Sequence, residues 1–201
     1  MSDIHVRLRN DILWLLLDRQ PLNPLTTEML EKLAHSVRQS IKLSPRLLVV
    51  TGMGERAFCA GVDLPDDSDA HRAELLQAAR NTEIAFDELH LHHIPTVALL
   101  KGSVFGPGCE LVSLCDTVIA RDDAMFRLPA VNAKVFSNAV SIRLPSMIGR
   151  EATDRLVQNG ETLNAHKALQ LGLVHQVLSS RRFLIDTEEL LVMLATVGKS
   201  A

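Results

Sequence analysis

The sequence predicts one α/β domain built on a mainly parallel sheet, and three observations predict it. Two short apolar runs, Leu47-Leu48-Val49-Val50 and residues 96–100, have strand composition, and each follows a stretch with helical spacing of apolar residues. This β, α, β order calls for crossover connections and parallel pairing. Each run also ends in a glycine-bearing turn beside a carboxylate, the arrangement in which an α/β sheet offers main-chain atoms to a ligand.

The elements follow in order. Residues 4–8 alternate apolar and polar, Asn10-Asp11 supplies a turn, and residues 12–17 are continuously apolar, so the chain opens as a β-hairpin with a buried second strand. Thr26 or Thr27 caps a helix whose apolar positions Met29, Leu30, Leu33, Val37 and Ile41 share a face until Ser44-Pro45. A second helix starts at the acidic stretch 66–69, runs through Leu75, Ala79, Phe86 and Leu89, and stops before Pro95. Short strands are expected at 117–120 and 125–128, then helices at 151–157, 165–171 and 183–194 around a strand at 173–178. The 201 residues read as a single domain, with a core over 1–178 and a C-terminal helix over 181–197.

Composition narrows the function classes. With 47% hydrophobic and 22% charged residues the chain is of ordinary globular type. A formal charge of -3, with no basic run beyond Arg181-Arg182, offers nucleic acid no attractive field, and no nucleic-acid partner is expected. The longest apolar run, residues 12–17, is far too short to cross a bilayer, and the first residues lack the apolar segment of a secretion signal. A cytoplasmic protein without a membrane partner is the expectation. The three cysteines, Cys59, Cys109 and Cys115, lie in small or apolar surroundings and read as reduced buried thiols rather than as a disulfide or metal set. His90, His92 and His93 read as the cationic end of a helix, and no metal site is expected. Gly52-Met53-Gly54-Glu55-Arg56-Ala57 spells a dinucleotide fingerprint, but Phe58-Cys59-Ala60-Gly61 does not continue as its helix.

Two stretches carry the chemistry. FCAGVDL, residues 58–64, places small residues Ala60 and Gly61 where a backbone can be approached closely. KGSVFGPGCELVSLCD, residues 101–116, leads through Gly102, Gly106 and Gly108 into a helix bearing Glu110. Backbone donors at a strand end and a helix start suit a developing oxyanion, and a carboxylate beside them suits proton transfer.

These two stretches, followed in order by RLPSMIGR and LGLVHQV, resemble the crotonase (enoyl-CoA hydratase/isomerase) superfamily over residues 13–177. The resemblance implies the ββα-repeat spiral of that superfamily, with its C-terminal helices shortened, and an oligomer, by resemblance a trimer. It also implies an acyl thioester as substrate and no separate cofactor, since CoA or an acyl carrier arm is part of the substrate. Glu110 stands where the family carries a catalytic Glu. Ala60 matches one oxyanion donor, and the segment Ala60, Gly61, Val62, Asp63 and Leu64 matches the stretch that lies along CoA, with Asp63 fixing the turn.

The sequence departs from the family pattern in four places. Pro107 occupies the usual second donor position and has no N–H, so Gly106, or Gly108 if the turn is rearranged, is expected to take its place; loss of one such donor costs about 10² to 10³ in turnover. Ala130 follows Phe126-Arg127-Leu128-Pro129 where hydratases carry a second Glu, which disfavours two-carboxylate water addition. The loop beyond, residues 131–138, lacks the family's usual glycine run and resembles that of cyclic dienoyl-CoA hydratases; in it Ser137 or Asn138 is a candidate to hold a water, the favoured reading of each being a cap for a helix through Val140 and Leu144. A Lys that commonly meets CoA phosphate is replaced within Pro21-Leu22-Asn23-Pro24-Leu25. The expectation is an enoyl-CoA hydratase- or isomerase-type enzyme using Glu110, the alternative a catalytically weakened acyl-CoA-binding or assembly subunit.

Overall fold

The computed structural model describes residues 3–66, 68–128, 135–136 and 139–197. β1 (Ile4–Arg9) and β2 (Ile12–Leu17) form the expected hairpin, closed by Asn10 and Asp11, both at positive φ. α1 (Thr27–Leu43) starts at Thr26, whose hydroxyl accepts from Met29 N–H, and returns the chain to β3 (Leu47–Gly52). β4 (Ala57–Ala60), α2 (Asp69–Leu91, capped by Ser68), β5 (Thr96–Leu100) and β6 (Ser103–Phe105) follow. The chain then continues through α3 (Pro107–Val112), β7 (Thr117–Arg121) and β8 (Met125–Arg127).

These strands make two sheets. The larger runs β1-β2-β3-β5-β7-β10, parallel except for the first hairpin, with β10 at Gln176–Leu178. The smaller runs β4-β6-β8-β9, with β9 at Thr162–Asn164 antiparallel to β8. Each of the pairs β3-β4, β5-β6 and β7-β8 sends its first strand to the large sheet and its second to the small one, which is the repeating spiral that the sequence resemblance implies.

Both faces of the large sheet are covered, so its strands read as continuous apolar runs rather than alternating ones. Leu48 and Val50 face the main core with Leu30, Leu33, Phe58 and Phe86, while Leu47, Val49, Val97, Leu99 and Ile119 face the other way, toward Phe183 and Leu191. The latter two lie on α7 (Phe183–Val197). That helix begins at Phe183, where its apolar spacing predicts and two residues inside the 181–197 span of the domain reading, because Ser179 to Arg182 form a turn closed by Arg182 N–H on Ser179 O at 3.1 Å.

Three short strands differ from expectation. β4 and β6 fall inside stretches that read as turns, because glycines and cysteines mask their strand character. β9 was not anticipated either, since its three residues give no periodicity to detect. The expected strand at 173–178 is confined to Gln176–Leu178. A helix through Val140 and Leu144 is present, as a π-helical turn (Ala139–Arg143) running into α4 (Leu144–Ile148); α5 (Arg150–Asn159) and α6 (Ala165–Leu171) complete the order.

Asn23 organises the loop between β2 and α1. It is fully buried at positive φ, its Nδ2 donates to Met53 O and Ala57 O at 2.9 Å each, and its Oδ1 accepts from Arg19 N–H at 3.0 Å. The loop is thereby laid along the β3–β4 connection. Asn23→Ala leaves these three polar groups unpaired and is expected to cost about 3 kcal/mol of unfolding free energy, read from urea denaturation midpoints.

Candidate active site

The two glycine-bearing stretches meet in space because β4 and β6 pair in parallel, with Ala60 beside Phe105. Beyond them the chains touch closely. A Cβ on Gly108 would lie 2.3 Å from Cys59 O, so only glycine lets the start of α3 approach the end of β4.

Glu110 sits in the first turn of α3 and is fully buried. Its Oε2 accepts from Phe136 N–H at 2.7 Å, and among the described residues nothing bonds its Oε1. Burial pushes its carboxyl up to about 8; the Phe136 and Val135 backbone opposes the rise and the charge of Glu83 adds to it. At neutral pH the group is therefore largely a carboxylic acid. Burial likewise pushes the neighbouring Cys59 thiol up to about 12 and the Cys109 thiol higher still, so both stay neutral. The three thiols are free and buried.

Two of the expected donors are already used within the fold. Ala60 N–H is donated to Leu22 O at 2.9 Å, because the loop held by Asn23 runs alongside β4. Gly106 N–H is donated to Arg127 O at 2.7 Å, because Phe105 pairs with Arg127 and the next amide extends that ladder. Both amides are occupied by the fold, and neither is free for a substrate oxygen. Two others stand differently. Leu25 N–H bonds Gly61 O at 3.0 Å and Asp63 N–H bonds Leu25 O at 2.8 Å, a parallel bridge that turns the N–H of the intervening Val62 to the opposite side. Gly108 N–H, in the first turn of α3, has no carbonyl a turn earlier to meet. Among the described residues neither amide has an acceptor.

The segment 60–64 is partly exposed, with Val62 and Leu64 packed against the core. The Asp63 carboxylate is ion-paired with Arg19, which also reaches Asp3 at 3.3 Å, so the segment is tied to the loop after β2. A cavity of about 280 Å³ opens beside it, lined among others by Arg19, Glu28, Asp63, Leu64 and His71. Ser137, Asn138 and Ala130 lie outside the described residues. His90 pairs with Asp116 at 3.4 Å, and no group of three metal-ligating side chains gathers among the described residues. No helix there is long and apolar enough to cross a membrane. The sequence reading missed Glu83, a carboxylate on α2 with only 2% of its surface exposed. Its place among the apolar positions Ala79 and Phe86 was the available signal.

A sequence model described as enoyl-CoA hydratase/isomerase matches residues 8–201. The chain belongs to that family. It is 30% identical over 184 residues to the enoyl-CoA hydratase/isomerase YngF of Bacillus subtilis, covering 90% of this chain and 71% of that protein. To the 2,3-dehydroadipyl-CoA hydratase of Escherichia coli it is 32% identical over 183 residues, with 90% and 71% covered. Among solved structures, a Silicibacter pomeroyi protein of this family superimposes with a TM-score of 0.83 at 30% identity, over 96% of this chain and 83% of the other. This member of the enoyl-CoA hydratase/isomerase family has the crotonase fold, and its solved relatives share the two-sheet spiral described above.

The raised carboxyl makes a prediction about stability. Its proton is held in the folded state up to about 8 and released in the unfolded state near 4.5, so stability is fullest below the lower value, falls as pH rises between the two, and then levels. Glu110→Gln is expected to flatten that fall, measured as the thermal unfolding midpoint across the interval.

Proposed function

We propose that the protein acts on the thioester of an acyl-CoA, or of an acyl chain on a carrier arm, by moving protons with Glu110 while backbone amides hold the thioester oxygen. The observation that carries this is the fully buried carboxyl of Glu110 in the first turn of α3, against the end of β4, with its Oε1 unbonded among the described residues. The amides are those of Val62 and Gly108, which replace Ala60 and Gly106 because their N–H groups are not already donated within the fold. Charge developing on the thioester oxygen is stabilised by such donors without reorganisation.

Hydration fits the protonation state. Glu110 delivers its proton to the α-carbon of an enoyl thioester, and a water oxygen bonds to the β-carbon as the C=C bond is lost. The water then returns a proton to the carboxylate, which restores Glu110. A single carboxyl serves both steps, which matches a chain with Ala130 where two-Glu hydratases carry the second. Isomerisation uses the same group in the other order: the carboxylate removes an α- or γ-proton and returns it at the opposite carbon. That order needs the ionised form and gains with pH.

The relatives' names favour acyl-CoA hydration. Pro107, with no N–H at the start of α3, favours the second reading, an acyl-CoA-binding subunit with weakened turnover. The cleft beside Asp63 carries Glu28 and Glu74 with no lysine among its lining residues, which favours a weak hold on CoA phosphates or a carrier protein in place of free CoA. A homo-oligomer, as in the sequence expectation, remains part of this proposal.

Two measurements separate the readings. Incubated with crotonyl-CoA, a cyclic dienoyl-CoA and β,γ-enoyl thioesters, the protein is expected to turn over at least one, and Glu110→Gln to lower that rate by about 10² to 10⁴; binding without turnover in both forms establishes the subunit reading. Gly108→Ala pushes a methyl into Cys59 O and is expected to lower kcat by about 10² or more through displacement of its own N–H. Unchanged kcat there removes Gly108 from the donor pair.

A further inference from the structure

We infer that the groove between α7 and the outer face of the large sheet is a second binding site, which takes a medium-chain carboxylate with its tail on the apolar wall and its head at Lys101. The groove lies across the large sheet from the core around Glu110, so it is independent of the activity proposed above.

Alternation of side chains along the strands builds one wall. On β2 it turns Ile12 and Trp14 away from the main core, on β3 it does the same for Thr51 after Val49, and past the end of β5 Lys101 continues the face of Leu99. Helix α7 supplies the other wall, with Phe183, Thr187 and Leu191 on one side of the helix at successive turns. Between the walls is a cavity of about 310 Å³. At about 30 Å³ per non-hydrogen group, the share of one water in the liquid, that is room for a molecule the size of octanoate. An apolar and aromatic lining with a few polar groups is what holds small ligands.

Two of those polar groups decide the chemistry. Thr187 is 6% exposed, and among the described residues its buried Oγ1 has no hydrogen-bond partner. A hydroxyl left in that state costs free energy that a ligand atom in the groove recovers. The Lys101 ammonium carries three donors and no acceptor, and Glu55 takes one of them at 3.0 Å. The Lys101 side chain is 19% exposed and that of Glu55 70%, so the field of the carboxylate is weakened by water while the lysine lines the groove. The other charges close by are matched among themselves. Arg9 pairs with Glu188 at 3.4 Å, and Arg121, which lies over the Phe183 ring, pairs with Glu55 and Asp123. Lys101 is therefore the cation with donors to spare, and it calls for an anionic acceptor. A cationic head would be repelled there.

The head end of the groove also has a fixed frame. Thr51 and Lys101 stand directly before Gly52 and Gly102, where two parallel strands end, and the Thr51 hydroxyl is tied to Leu99 O at 2.8 Å. Crevices at the carboxyl ends of strands are where open α/β sheets hold ligands.

The test uses Trp14, the chain's single tryptophan, whose emission reports the groove. Titration with octanoate is expected to change that emission saturably, and Glu110→Gln to bind octanoate as tightly as the unaltered protein. Lys101→Met keeps the length of the side chain without its charge and is expected to weaken octanoate by about tenfold or more, with 1-octanol bound weakly by both forms. Thr187→Leu fills part of the cavity and removes the unbonded hydroxyl, so it is expected to raise the thermal unfolding midpoint while weakening octanoate by a similar factor. Should Lys101→Met fail to fold, octanoate against 1-octanol on the unaltered protein makes the same comparison. The absence of a saturable change overturns the site. Equal affinity for octanoate in Lys101→Met, or for octanol and octanoate, also overturns it, since adsorption to any apolar surface behaves that way. Loss of octanoate binding in Glu110→Gln would put the ligand in the thioester site, which overturns the groove and leaves the proposed activity standing.

Discussion

The constraint on which the structure depends is the contact of backbone against backbone where the chain passes from one sheet to the other. At the end of β3, a Cβ on Gly52 would stand 2.5 Å from Phe58 O, and after β5 a Cβ on Gly102 would stand 2.2 Å from Arg56 O. At the start of α3 the same holds between Gly108 and Cys59 O. No side chain fits these three places. With glycine there, Ser103 N–H reaches Arg56 O at 3.0 Å and Met125 N–H reaches Gly102 O at 3.0 Å, which sets the register of the small sheet. The closeness that builds the fold also brings β4 and α3 together at the site.

That closeness explains the chemistry of Glu110. A carboxyl in the first turn of a helix is ordinarily favoured in its ionised form by the helix dipole. Here α3 is only six residues long and buried throughout, so loss of water outweighs the dipole and the two backbone amides at 135 and 136. The acid is neutral because the fold excludes solvent from it. The raised carboxyl and its burial are in this sense one property.

Much of the architecture was legible in the chain. The hairpin, α1 with its Thr26 cap, β3, α2, β5 and the parallel order follow from apolar periodicity and caps, which are local signals. β4 and β6 escaped because a strand of three or four residues rich in glycine neighbours and cysteine has no period to read, and its partners lie 46 residues away in the Ala57–Ser103 pairing. Glu110 was legible from its setting among glycines. Glu83 was not singled out, since a single acid on an amphipathic helix looks like its solvated face until the helix is docked.

The clearest separation between sequence and structure lies in the amides. From the sequence alone came the family resemblance, the two stretches of the candidate site, its candidate acid, and the missing N–H at Pro107, because each of these is a property of residue type or short spacing. Which N–H groups remain available was decided only by tertiary structure. Ala60 and Gly106 looked like donors, yet Leu22 and Arg127 carbonyls, brought in by the loop of Asn23 and by β8, already accept from them. An amide looks the same in every residue but proline, so its availability depends on what the rest of the chain places opposite it.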